Sequence, residues 1–132
     1  MEERDPLTER IIGSAIKVHR KLGPGLLESA YETALAIQLA RDGLKFDKQR
    51  EVPLFYEGIR VGDYKPDFIV ENAVVLEIKS VLKYEPVFLA QMLTYLRITG
   101  LNRGLILNFN KAWLKAGIKR VILSEHEPIH DL

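Results

Sequence analysis

Apolar positions along the chain fall into two rhythms. Ile11, Ala15, Val18 and Leu22 recur every three or four residues, joined by Ile12 and Ile16. That is the spacing of a helix with one buried stripe. Asp5-Pro6 ahead of them reads as an N-cap with proline at the first helical position, and Gly23-Pro24-Gly25 ends the run. A second helix is predicted over residues 26–42, closed by Gly43. Its inward stripe is Tyr31, Leu35 and Leu39, and Glu28 in the first turn lies on the same stripe. Pro86 introduces a third helix over residues 87–99, stopped by Gly100.

The other rhythm is that of strands. Residues 46–56 read as extended, with Pro53 marking an edge or bulge, and Glu57-Gly58 as a turn. Two apolar runs, 60–70 and 74–80, flank a short polar break at Glu71-Asn72 and predict an antiparallel hairpin. Residues 103–109 read as a buried strand, 117–123 as a short final one, and 124–132 as loosely held. The third helix then connects two strands as a crossover, which makes them parallel. The expected fold class is α/β (or α+β with a mixed sheet), as one domain spanning residues 1–132.

Within the hairpin, Asn72 lies midway between Asp67 and Glu77. A three-residue loop therefore sets these two carboxylates directly opposite each other, with Cβ atoms roughly 5 Å apart. Lys79 shares the Glu77 face because side chains alternate across a strand. A divalent cation would relieve the repulsion, since Mg²⁺ prefers oxygen ligands and takes one or two protein carboxylates. A two-residue loop would instead put Asp67 and Glu77 on opposite faces. An ordinary wet sheet face carrying charges is the other reading.

Composition narrows the chemistry. There is no cysteine, which excludes disulfides and thiolate metal sites. The acidic, polar start is unlike a signal peptide, and no apolar run approaches the ~20 residues of a membrane span. Cytoplasmic location is expected. The net charge is only +1, yet no Asp or Glu falls between Glu85 and Glu125. Arg97, Arg103, Lys111, Lys115, Lys119 and Arg120 all do. That asymmetry suits a phosphate-binding face, and equally suits scattered surface charges.

Singly, the remaining candidates are ambiguous. Glu28 can simply favour a helix N-terminus. Gln91 and Tyr95, four residues apart, share a helix face. His19 among apolar neighbours reads as a hydrogen-bonded structural histidine. Together they carry more. A helix glutamate, strands bearing Pro66-Asp67 and Glu77-Ile78-Lys79, then a helix with Gln91 and Tyr95, resemble the PD-(D/E)xK nuclease superfamily. Gly25-Leu-Leu-Glu28-Ser-Ala-Tyr31 resembles the motif that names the GxxExxY proteins, as do the segments around His19 and Asn108-Phe-Asn110.

The resemblance implies a restriction-endonuclease-like core, with helices flanking a central mixed sheet of about five strands, and metal-dependent hydrolysis of phosphodiester bonds. Mg²⁺ or Mn²⁺ would be held by Asp67, Glu77 and the Ile78 carbonyl, with Glu28 completing the acidic cluster. Lys79 would position the attacking water or neutralise developing charge, and Gln91 would orient Lys79. Tyr95, Arg97, Arg103, Lys111 and Lys115 would contact nucleic acid, expected to be DNA, and Tyr31 would be structural. A homodimer is compatible with this. A non-catalytic nucleic-acid-binding or protein-interaction module on the same fold is the alternative.

Overall fold

The computed structural model describes residues 5–123; the C-terminal segment expected to be loosely held lies outside them. Helix α1 (Pro6–Leu22) starts as expected, with the Asp5 carboxylate accepting the Thr8 N–H at 3.1 Å. It ends at Gly23, whose φ of 68° suits glycine. Helix α2 (Glu28–Arg41) begins two residues later than expected, with Leu27 as its N-cap. The Asp42 carboxylate then takes hydrogen bonds from Ser14 (2.6 Å) and Lys17 (2.9 Å), clamping the end of α2 to α1.

The strands are β1 (Phe46–Lys48), β2 (Val52–Tyr56), β3 (Ile59–Tyr64), β4 (Phe68–Val70), β5 (Val74–Lys79), β6 (Arg103–Asn108) and β7 (Ile118–Ile122). Helix α3 (Pro86–Thr99) connects β5 to β6. The main sheet has the order β1-β4-β5-β6-β7, with β5 and β6 parallel and every other pair antiparallel. The expected mixed sheet of five strands flanked by helices is therefore present.

Two expected strands are each divided. Residues 46–56 break at Gln49, whose φ of 57° is left-handed, so β1 joins the main sheet while β2 leaves it. Residues 60–70 break at Lys65-Pro66-Asp67. Strand β3 pairs with β2 in a separate two-stranded sheet, and β4 returns to the main one. A short 3₁₀ turn (Leu114–Gly117), not foreseen from the sequence, precedes β7.

Alternation along the strands divides the core between two faces. Phe68, Val70, Leu76, Ile78, Leu105 and Leu107 pack with α1 and α2. Ile69, Val75 and Ile106 pack with Met92, Tyr95 and Leu96 of α3 and with Val52 of β2. Continuing the same alternation, Asp67, Glu77 and Lys79 fall on the α3 face. No helix among the described residues is long and apolar enough to cross a membrane.

Candidate functional site

Hairpin register decides this site. Phe68 pairs with Leu76, Ile69 with Val75 and Val70 with Val74, so the three residues Glu71, Asn72 and Ala73 form the loop and the pairing is symmetric about Asn72. Glu71 and Asn72 both adopt a φ of 51°, and the Ala73 N–H closes the turn on the Val70 carbonyl at 2.9 Å. One step beyond the ladder, Asp67 stands across from Glu77.

The two carboxylates interlock through backbone. The Asp67 N–H donates to Glu77 Oε2 at 2.7 Å, and the Ile78 N–H donates to Asp67 Oδ2 at 2.7 Å. By the same register Pro66 stands opposite Ile78. Proline has no N–H to give, and a strand residue directs its N–H and C=O to the same edge. The Ile78 carbonyl therefore faces the carboxylates with no ladder donor from the neighbouring strand.

Electrostatics follow from depth. Glu77 is 5% exposed. Burial, then the adjacent Asp67 charge, push its carboxyl from the ordinary 4.5 up to about 8, against the opposing pull of the Asp67 N–H and Lys79. Burial likewise raises Asp67, with the charge of Glu32 adding to it, while the Ile78 N–H, Gln49 and Lys79 oppose. Lys79 emerges on the same face, its Nζ 4.6 Å from the centre of the Phe88 ring. The Tyr95 hydroxyl is pushed up to about 12, chiefly by burial and then by the negative charges of Glu77 and Asp67, with the Gln91 side chain pulling the other way. The Tyr64 ring meets Tyr95 edge-on, 6.4 Å between centres.

The structure thus draws Asp67, Glu77, Ile78, Lys79, Tyr95 and Gln91 toward one place beneath α3. Glu28 requires correction. It is exposed, not inward, because the first turn of α2 projects past the packed part of the helix, whose burial begins at Tyr31. The α2 carboxylate that acts on both Asp67 and Glu77 is Glu32, one turn further on. Gln49 links them, its Nε2 donating to Glu32 Oε1 at 2.8 Å and to Asp67 Oδ1 at 3.1 Å. Neither residue was foreseen. Glu32 carried the signal of lying four residues after Glu28; Gln49 depends on the left-handed break between β1 and β2 and had none.

Other expected residues serve the frame. The Tyr31 hydroxyl donates to the Gly23 carbonyl at 2.5 Å and accepts the Leu26 N–H at 3.1 Å, while its ring stacks on Phe109 at 4.6 Å. Ser80 Oγ donates to the Leu26 carbonyl at 2.6 Å, tying that loop to the end of β5. His19, 7% exposed, donates from Nε2 to the Lys111 carbonyl at 2.7 Å. Buried Asn108 accepts the Val81 and Asn110 N–H groups, each at 3.1 Å, and donates to the Val81 carbonyl at 3.0 Å. It fastens the exit of β5 to that of β6.

Basic residues divide by location. Arg103 pairs with Val74 at the far end of β5 from Lys79, and its guanidinium lies 2.6 Å from the Asp5 carboxylate. Arg120 is bound to Glu9. Arg97 and Lys115 are exposed, and Lys111 is half-buried.

The donor set suits a hard divalent cation: two carboxylates and a backbone carbonyl, all oxygen. No group of three or more acidic, His or Cys side chains that could hold a metal occurs among the described residues. Mg²⁺ does not demand one, because it completes its shell with water.

No curated protein and no solved structure matches this chain. Residues 5–121 match the sequence model of the PD-(D/E)XK nuclease superfamily, and the chain belongs to that superfamily.

Proposed function

We propose that this PD-(D/E)XK superfamily member is a metal-dependent nuclease of the GxxExxY type, hydrolysing phosphodiester bonds in DNA. The carrying observation is the interlocked Asp67–Glu77 pair: two opposed carboxylates, one buried deeply enough to sit near pH 8, with a lysine on the same strand face. Such a pair suits a hard divalent cation, whose charge offsets the repulsion between the carboxylates. Asp67, Glu77 and the Ile78 carbonyl would hold Mg²⁺ or Mn²⁺, with Glu32 in the supporting position expected of Glu28. When bound, the metal acidifies a water and stabilises charge on phosphoryl oxygens.

The chain supplies the rest. The Asp67 and Ile78 N–H groups hold the two carboxylates in place across from each other. Gln49 positions Asp67 against Glu32. Lys79, steered by the Phe88 ring, brings a fixed positive charge to the place where the transferred phosphoryl group becomes more negative. Tyr95 and Gln91 close the α3 side. Gly25, at a φ of 98°, and Tyr31 shape the loop that Ser80 ties to β5, which gives the glycine and tyrosine of the motif a structural purpose.

The test is cleavage of single-stranded, duplex and branched DNA and RNA with Mg²⁺, with Mn²⁺ and with chelator. Metal-dependent cutting is expected, reduced by about 10²–10³ in Lys79→Ala with metal binding retained. Binding without cleavage by the wild type across the whole panel would overturn the enzymatic reading in favour of a binding module. Cutting that survives both chelator and Lys79→Ala would mean that the activity lies elsewhere.

A further inference from the structure

One aromatic residue at this end of the sheet belongs to no part of the core. Trp113 is the only tryptophan in the chain, and it is 78% exposed. Its segment is nevertheless fastened on both sides. The Lys111 carbonyl is held by His19, Leu114 is buried against the α1–α2 face, and Gly117 lies tight against the Asn108 backbone. The indole is therefore presented on anchored chain.

Its place follows from the register. Asn108 neighbours Lys79 across the parallel pair, and Trp113 comes five residues later. Even a fully extended segment would put it within about 18 Å of Asn108, a reach of a few nucleotides. The same sheet end also exposes Leu27, on the loop that Ser80 holds, and Leu82, next to the Val81 that Asn108 holds. Along the chain the charge is one-sided: no acidic residue occurs from Pro86 to Ser124, and among the described residues neither Lys111 nor Lys115 has a carboxylate partner. Arg103 and Arg120, by contrast, are neutralised by α1.

An exposed indole matches the flat, apolar face of a base, and the lysines two residues to either side of it match phosphates. Duplex nucleic acid hides its base faces within the stack and presents only edges and backbone; an unpaired strand exposes them. We propose that the substrate reaches this site as single-stranded nucleic acid, with Trp113 stacking on a base and Lys111 and Lys115 holding adjacent phosphates. This rests on the nuclease reading and specifies its substrate class.

The chain reports on the event itself, because Trp113 is the sole indole. Wild-type protein in chelator, where no cleavage intervenes, is titrated with single-stranded DNA, single-stranded RNA and blunt duplex of one sequence. Intrinsic fluorescence and the anisotropy of labelled strands are followed together. Single strands should quench Trp113, and the DNA and RNA arms decide which sugar is preferred. Trp113→Ala should weaken single-strand binding by about 5- to 150-fold, the usual worth of one stacked base, while Trp113→Phe keeps much of it. Lys111→Ala with Lys115→Ala should lower the dependence of affinity on salt, by about 0.7 in the log–log slope per phosphate lost. Trp113→Ala binding single strands as the wild type does, or duplex quenching equally, would overturn this proposal and leave the nuclease reading standing. No binding of any strand by the wild type would overturn both.

Discussion

Replacing Glu77 by glutamine tests the electrostatic core of the site without any knowledge of its substrate. The Gln carbonyl can still accept the Asp67 N–H that Glu77 Oε2 accepts at 2.7 Å, so shape and hydrogen bond are kept and only the charge is lost. Glu77 is an acid whose native pKa, about 8, lies above its ordinary 4.5. The native state therefore keeps a proton that the unfolded chain releases. Stability is greatest below about pH 4.5, declines as pH rises through the window to about 8, and levels off above it. Each unit of separation corresponds to about 1.4 kcal/mol, so the full effect is on the order of 5 kcal/mol, and about 3 kcal/mol of it falls between pH 6 and pH 9. That is comparable with the whole folding stability of a small domain. Urea unfolding followed by circular dichroism, in chelator at pH 6 and pH 9, measures it. The wild type should lose about 3 kcal/mol more than Glu77→Gln over that interval, and the variant should be the more stable protein at pH 9. Groups remote from Glu77 titrate alike in both proteins and cancel. Parallel pH profiles would mean that Glu77 ionises as freely as it does in water, and the argument from burial would fail.

Mg²⁺ or Mn²⁺ should raise the melting temperature of the wild type by binding the native state, and Asp67→Asn should fold but lose that response; an unchanged shift would place the ion elsewhere. Glu32→Gln should diminish the metal-induced shift more than Glu28→Gln, since Glu32 acts on both carboxylates and Glu28 is exposed; the reverse order in parallel melts would restore Glu28 to the cluster. Gly117→Ala should destabilise by about 2 kcal/mol or more in urea titrations, because the new Cβ would overlap the Asn108 backbone carbonyl. Tyr31→Phe keeps the stack on Phe109 but strands the Gly23 carbonyl and the Leu26 N–H, and should cost about 1–3 kcal/mol by the same measurement.

Local chemistry made much of this molecule legible in advance. Asp5-Pro6, Gly23 and Gly100 punctuate α1 and α3 to within a residue, because caps and breakers act through the few bonds nearest them. Two apolar runs about a polar break left only a few hairpin registers open, since a period of two leaves few pairings that bury one face, and the structure shows the three-residue loop among them. With it came the opposition of Asp67 and Glu77 and the shared face of Lys79. What could not be read was where a strand changes sheets. Residues 60–70 look continuous in sequence, yet Pro66 lies at a break that sends β3 to one sheet and β4 to another.

The sequence by itself thus determined which residues face which way along most elements, Glu28 excepted, because backbone alternation and capping are short-range. The tertiary structure alone decided which charges become neighbours. Glu28 and Glu32 are one helical turn, about 5 Å, apart on α2, and only where that helix crosses the sheet selects Glu32. Arg120 is isolated from acids in its own segment but meets Glu9, 111 residues away. The raised pKa of Glu77 likewise exists only once α3 and β2 cover its face and exclude water. Distance and desolvation between remote segments, the two quantities that set Coulomb energies, come into being only when the elements pack.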